Sequence, residues 1–246
     1  MKIKNQTINT FFITILFIST LVFTACGSDD TDEMVDEDLS VKISQEFSTN
    51  LQKIDVPTAM KNSSNSYAQQ ATSQVSAVKG IANTLTTFFS VPDFAVSSAN
   101  LKNDGNLSAK SAALNTQTYT WSEDGITVTY TITEESDRFR FSYIVASSDI
   151  NGKLMDGYLL KDGSYSEVKF YDNNKVVSTI KITVDGNISR IEITSDDIRY
   201  ILESNTVDNS GNLKLYEDNV LVATYTWNAS GNGSFINHQT GETYTW

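Results

Sequence analysis

The chain has 246 residues, 18 Lys and Arg against 30 Asp and Glu, and a formal net charge of −12. A chain this acidic does not suit nucleic acid, whose phosphates need a positive field. The single cysteine excludes an intrachain disulfide, and the single histidine excludes a multi-histidine metal site. Hydrophobic residues at 39% and aromatics at 11% are enough for a core.

The first 25 residues read as an address. Lys2 and Lys4 form a basic start, and Phe11 to Val22 is an apolar stretch broken only by Thr14, Ser19 and Thr20. It is too short for a membrane span, which needs about 20 apolar residues, and it suits the apolar region of a signal peptide. Phe23-Thr24-Ala25-Cys26-Gly27 follows at once. This resembles the lipobox of bacterial lipoproteins, with Phe23 standing where Leu or Val is usual. The resemblance implies a leader over 1–25 and a lipidated Cys26 as the new N-terminus. It thereby implies a membrane partner held through that lipid.

Residues 26–39 carry the next signal. Between Gly27 and Asp38 there are seven carboxylates and no base. Such a run repels itself and stays solvated, as a tether would. Ser28, Asp29, Asp30, Asp32 and Glu33 also resemble the surface-export signal of Bacteroidota-type lipoproteins, which implies an outer-membrane protein displayed at the cell surface. Loss of Lys2 and Lys4 with the leader deepens the charge to −14, while the part from Leu39 onward has 23 acids and 16 bases. The folded part is therefore only mildly acidic.

Residues 40–92 have a helical pattern. Tyr67, Ala71, Val75, Val78, Ala82, Leu85 and Phe89 recur at steps of three and four, which places them on one helix face. Ser and Asn residues at 62–66 offer N-caps, and Pro92 ends the pattern. A shorter helix before Pro57 would bury Val41, Ile43, Phe47, Leu51 and Ile54. The stripes are expected to pack as core. A membrane-surface helix would carry many basic residues, and only Lys79 lies between 62 and 90. Residues 93–116 have loop composition and are expected to be a linker.

From 117 to 246 the period becomes two. Ile126, Val128, Tyr130 and Ile132 alternate with threonines, and Phe139, Phe141 and Tyr143 alternate with Arg138, Arg140 and Ser142. That is the pattern of strands with one buried and one wet face. Turn signals such as Asp124-Gly125, Asn173-Asn174, Asp185-Gly186 and Asp218-Asn219 separate ten to twelve short strands. Residues 169–191 align with 214–236 at an offset of 45, with nine of 23 positions identical. Thr118-Tyr119-Thr120-Trp121 and Thr243-Tyr244-Thr245-Trp246 are further partial copies. Repeated hairpins cannot bury their apolar faces alone, so they must share a sheet. The expected fold is α+β: N-terminal amphipathic helices packed on a C-terminal antiparallel β-meander, as a curved sheet or partial barrel.

Catalytic signals are sparse. No Gly-x-Ser-x-Gly elbow, Walker loop or dinucleotide fingerprint is present, and no cofactor is expected. His238 has no His or Cys partner in reach of its sequence. Asp208-Asn209-Ser210-Gly211-Asn212 lacks the closing acid of a calcium loop and reads as a turn. Asp196-Asp197 and Glu134-Glu135 are adjacent, so within a strand each pair would point to opposite faces. Tyr119, Trp121, Tyr225, Trp227, Tyr244 and Trp246 share repeat positions on one face. On a wet face they would be an aromatic binding strip, and on the inner face they would be core. Leu221 and Ala223, which lead into Tyr225, favour core. The leading expectation is a non-catalytic surface lipoprotein in a binding or structural role, its protein, glycan or lipid partner unnamed. The alternatives are a periplasm-facing carrier holding a lipid-like ligand in a half-barrel, a glycan hydrolase, and a membrane-inserted barrel.

Overall fold

A computed structural model describes residues 38–93, 95–100, 115–148 and 151–246. Cys26 and the acidic run 28–33 lie outside them. Among these residues four helices come first: α1 (Leu39–Gln52), α2 (Thr58–Lys61), α3 (Ser66–Asn83) and α4 (Leu85–Phe89). Asp38 caps α1 by accepting from Ser40 N at 2.8 Å, and Asn65 caps α3 by accepting from Tyr67 N at 2.9 Å. Pro57 precedes α2 as its cap residue, its missing N–H costing nothing there.

Thirteen strands follow: β1 (Val96–Asn100), β2 (Asn115–Glu123), β3 (Ile126–Glu134), β4 (Arg138–Ala146), β5 (Asn151–Leu160), β6 (Tyr165–Asp172), β7 (Lys175–Asp185), β8 (Ile188–Ser195), β9 (Ile198–Asn205), β10 (Gly211–Glu217), β11 (Val220–Trp227), β12 (Gly233–Asn237) and β13 (Thr243–Thr245). They pair antiparallel in chain order in one sheet, which is curved and not closed. The fold is the expected α+β meander. One boundary differs. β1 falls inside the stretch 93–116 that composition marks as linker; its five residues, mostly small and polar, are too few to show alternation.

The turns explain the chain order. Asn173 and Asn174 both adopt positive φ, and so do Asp218 and Asn219 exactly one repeat later. Two consecutive left-handed residues make the tight turn whose twist matches paired strands, and Asn and Asp tolerate it best. Each repeat also carries a β-bulge just after its turn: the register shifts between Phe170 and Tyr171 and again between Leu215 and Tyr216. The extra residues are Val177 and Val222, which are likewise 45 apart. Bulges bend a strand and increase its twist, so their repetition contributes to the curvature.

The helices cover one face, running out across the sheet and back. Near the start, Leu39 N donates to Gln117 Oε1 on β2 at 2.9 Å. Beyond α1's midpoint, Asn50 donates to Gly163 O in the β5–β6 turn at 3.0 Å. Farther on, Ser204 Oγ on β9 donates to Asp55 O at 3.1 Å. After α2 the path reverses. Tyr67 at the start of α3 stacks on Tyr244 of β13, ring centres 4.2 Å apart. α4 returns to the first half of the sheet, where Phe89 meets Phe141 edge-on at 5.0 Å and Phe88 meets Tyr143 and Phe170 at 5.9 Å.

The expected helical stripe is buried from Ala71 to Phe89, with Tyr67 half-buried at its end. Val41 is a correction: it is 48% exposed, and Leu39 takes its place, because Leu39, Ile43 and Phe47 are spaced by four and share a face that Val41 does not. Ile43, Phe47, Met60 and Phe89 are essentially inaccessible between helices and sheet.

The α1 start is also pH-sensitive. Burial raises the Asp38 pKa, but hydrogen bonds from Tyr119 Oη at 2.6 Å and from Ser40 outweigh it and leave the carboxyl below its ordinary 3.8. A depressed folded pKa contributes stability above the unfolded value, and that contribution is lost as pH falls through the folded pKa. Replacing Asp38 with Asn should therefore lower stability at neutral pH and shrink the loss on acidification below pH 3.8, as read by urea unfolding at a series of pH values. Phe89→Ala should cost about 3–5 kcal/mol in the same assay at all pH values, since it empties a packed aromatic site.

Candidate functional site

The six repeat-related aromatics lie on the helix-covered face. Tyr119, Tyr225 and Trp227 are buried; Trp121, Tyr244 and Trp246 are half-buried, with Trp121 and Trp246 packed on the core. Two of them do a defined structural job. Trp227 Nε1 donates to Asn209 O at 2.7 Å, and Trp246 Nε1 donates to Gly231 O at 2.8 Å, so each indole ties down the turn beside it. Each ring also covers a glycine on the neighbouring strand. A Cβ at Gly211 would come within 2.8 Å of the Trp227 ring, and one at Gly233 would collide with the Trp246 ring and the Thr226 carbonyl. A large ring thus fills the space that a strand glycine leaves open.

The other candidates fall in ordinary places. His238 Nε2 lies 2.9 Å from Thr224 Oγ1 at the surface. Asp208 accepts from Ser210 N at 2.9 Å and from its hydroxyl at 2.6 Å, closing the β9–β10 turn. Glu134 pairs with Lys161, and Glu135 pairs with Arg140, each at 2.7 Å. Asp196 occupies a positive-φ turn position before β9.

The opposite, open face carries the polar half of each strand. On β2 and β3 it is a hydroxyl array: Thr116 faces Thr133 at 3.2 Å, Thr118 faces Thr131 at 3.3 Å and Ser122 faces Thr127 at 2.8 Å. From β6 to β10 it is an ion-pair ladder. Lys169 meets Glu167 at 2.7 Å, Arg190 meets Glu203 at 2.7 Å and Glu192 at 2.8 Å, and the Arg199 guanidinium sits 4.1 Å from the Tyr216 ring centre.

Between the array and the ladder is a cleft of about 410 Å³ over β3–β6. Thr131, Thr133 and Ser142 contribute hydroxyls from β3 and β4, and Arg140 contributes its guanidinium. Asp156 and Tyr158 come from β5; Glu167, Lys169 and Tyr171 come from β6. Gly157 lines it with backbone only; a Cβ there would point to the opposite, buried face and collide with the Glu167 carbonyl and the Phe141 ring. The volume lies in the range of small-molecule sites.

The charges in the cleft are matched. Arg140 bonds Glu135, Lys169 bonds Glu167, and Lys153 bonds Asp156 at 2.6 Å. Tyr171 Oη lies 3.1 Å from both Asp156 carboxylate oxygens, and Tyr165 Oη donates to Glu167 at 2.8 Å. Burial raises the Glu167 pKa, but hydrogen bonds from Lys169 and Tyr165 outweigh it and hold the carboxyl below its ordinary value. Glu167 is therefore ionised at neutral pH. Of the two carboxyl states that glycoside cleavage combines, one protonated and one ionised, it has the second.

Sequence reasoning did not find this cleft. Its residues alternate as any wet strand face does, and the one local signal is Gly157 inside a strand, which marks a close backbone approach. Comparison with known protein families, curated proteins and solved structures finds no match.

Replacing Gly233 with Ala should lower stability by about 1–3 kcal/mol through overpacking against Trp246. The same change at Gly80, which has nothing within 4 Å of its would-be Cβ, should raise it slightly. Thermal unfolding of the two variants side by side reads the difference.

Proposed function

We propose that the protein is a lipid-anchored outer-membrane protein displayed at the cell surface, without catalysis, serving in binding or as a structural accessory. The observation that carries this reading is an order of features: basic start, apolar stretch, small residues, Cys26, acidic run, and then the capped start of α1 at Asp38. A lipid on Cys26 would hold the membrane end. The twelve residues from there to Asp38 span at most about 40 Å, enough to stand a domain clear of a bilayer surface. The seven carboxylates would keep that segment solvated.

The faces of the sheet support a presenting role. One face is used up by helix packing, and the other is polar, wide and open. A lipid carrier would need the helix-covered face free for acyl chains, whereas Phe47, Met60 and Phe89 are packed there. A transmembrane barrel would need closure, because unpaired edges do not survive in hydrocarbon, and the sheet is open.

Protease treatment of intact cells tests the reading. The native protein should be cut, and a variant with Asp29, Asp30, Asp32 and Glu33 all replaced by Ala should be protected. Protection of the native protein in intact cells overturns surface display. Separately, Cys26→Ala should abolish incorporation of labelled palmitate and release the protein from the membrane fraction.

A further inference from the structure

We propose that the cleft over β3–β6 is a binding site for a neutral, hydroxyl-rich ligand, that is, a carbohydrate. This rests on the reading of the chain as a binding protein rather than a spacer, and it does not depend on where the protein is anchored.

The argument starts from charge. The cleft holds two acids, Asp156 and Glu167, and two bases, Arg140 and Lys169. Each is already in an ion pair at 2.6–2.7 Å. A charged ligand would have to displace one of these partners to gain a counter-charge, since each of the four is already paired. A neutral ligand need not. Sugar hydroxyls can donate to the unused lone pairs of a paired carboxylate and accept from the remaining guanidinium and ammonium protons.

Shape and surface point the same way. Tyr158 and Tyr171 both line the cleft and supply flat, amphipathic rings of the kind that take the C–H face of a pyranose. Each ring is held from moving: the Arg138 guanidinium sits 5.1 Å from the Tyr158 centre, Tyr171 bonds Asp156, and the Lys153 ammonium sits 5.1 Å from the Tyr171 centre. Fixed groups lose little entropy on binding. Thr131 and Thr133 add hydroxyls on a regular strand spacing of roughly 7 Å. Thr131 and Thr133 also pair with Thr118 and Thr116 in the open threonine array, so hydroxyls beside the cleft are available to a second sugar ring.

The test uses the full-length purified protein in detergent. Neutral hexasaccharides of glucose, galactose, mannose and N-acetylglucosamine are titrated by calorimetry and by saturation-transfer NMR, with inorganic phosphate and a sulfated hexasaccharide as charged probes. The expected result is saturable binding of at least one neutral probe with Kd about 1 mM or tighter. Tyr158→Ala should weaken it by about tenfold and Glu167→Gln by a similar factor, with unfolding midpoints showing that both variants fold. Should Tyr158→Ala fail to fold, Thr133→Val replaces it, expected to weaken binding severalfold. No binding of any neutral probe overturns the proposal, as does binding only of the charged probes, or binding indifferent to the variants. Each of these outcomes leaves the protease result in cells untouched, so failure of the ligand class is distinguishable from failure of surface display.

Discussion

The apolar face of the sheet has to be covered, and every larger feature of the molecule follows from how it is covered. A single-layer sheet of thirteen strands exposes a row of large side chains on one side, from Tyr119 on β2 to Phe235 on β12. Among the described residues no second sheet packs there. The coverage comes from one helical excursion that crosses the strands and returns, clamped to the sheet by hydrogen bonds from Leu39, Asn50 and Ser204. Burying apolar area at about 25 cal/mol per Å² is the driving term, and the clamps set the direction in which the helices lie.

Curvature is the second consequence. A flat meander this wide would outrun four short helices. Bulges at Val177 and Val222 and tight turns at Asn173-Asn174 and Asp218-Asn219 recur with the sequence repeat, and strand glycines covered by Trp227 and Trp246 add to them near the C-terminal end. Each bends or twists the sheet by a small amount. The repeat therefore encodes bending as well as pairing.

The open face answers a different demand. Strand residues that cannot face the core must be comfortable in water, and here they do so by pairing with one another: threonine with threonine on β2–β3, and acid with base from β6 to β9. Exposed pairs of this kind contribute little stability. What they do provide is a fixed polar surface of low net charge. The cleft sits where the hydroxyl array gives way to the ion-pair ladder.

Much of the fold was legible in the residues because its signals are local. Alternation along β3 and β4 named the buried face, steps of three and four from Ala71 to Phe89 named the helix stripe, and Asn-Asn and Asp-Asn pairs named the turns. β1 was not legible, since five residues without alternation draw their strand character from pairing with β2. Val41 was misplaced because a short helix offers two overlapping apolar faces and only the sheet decides between them. The role of Trp227 and Trp246 was readable only as a shared face; their partners, Gly211 and Gly233, come from neighbouring strands. The cleft draws on four strands at once, from Thr131 to Tyr171, and no spacing in one strand announces it. Sequence by itself determined the order of apolar stretch, acidic run, helices and hairpins, because each is written in composition and period. Tertiary structure alone decided which face the helices take, how the paired charges cancel and where space is left, because those depend on residues that meet only after the sheet has formed.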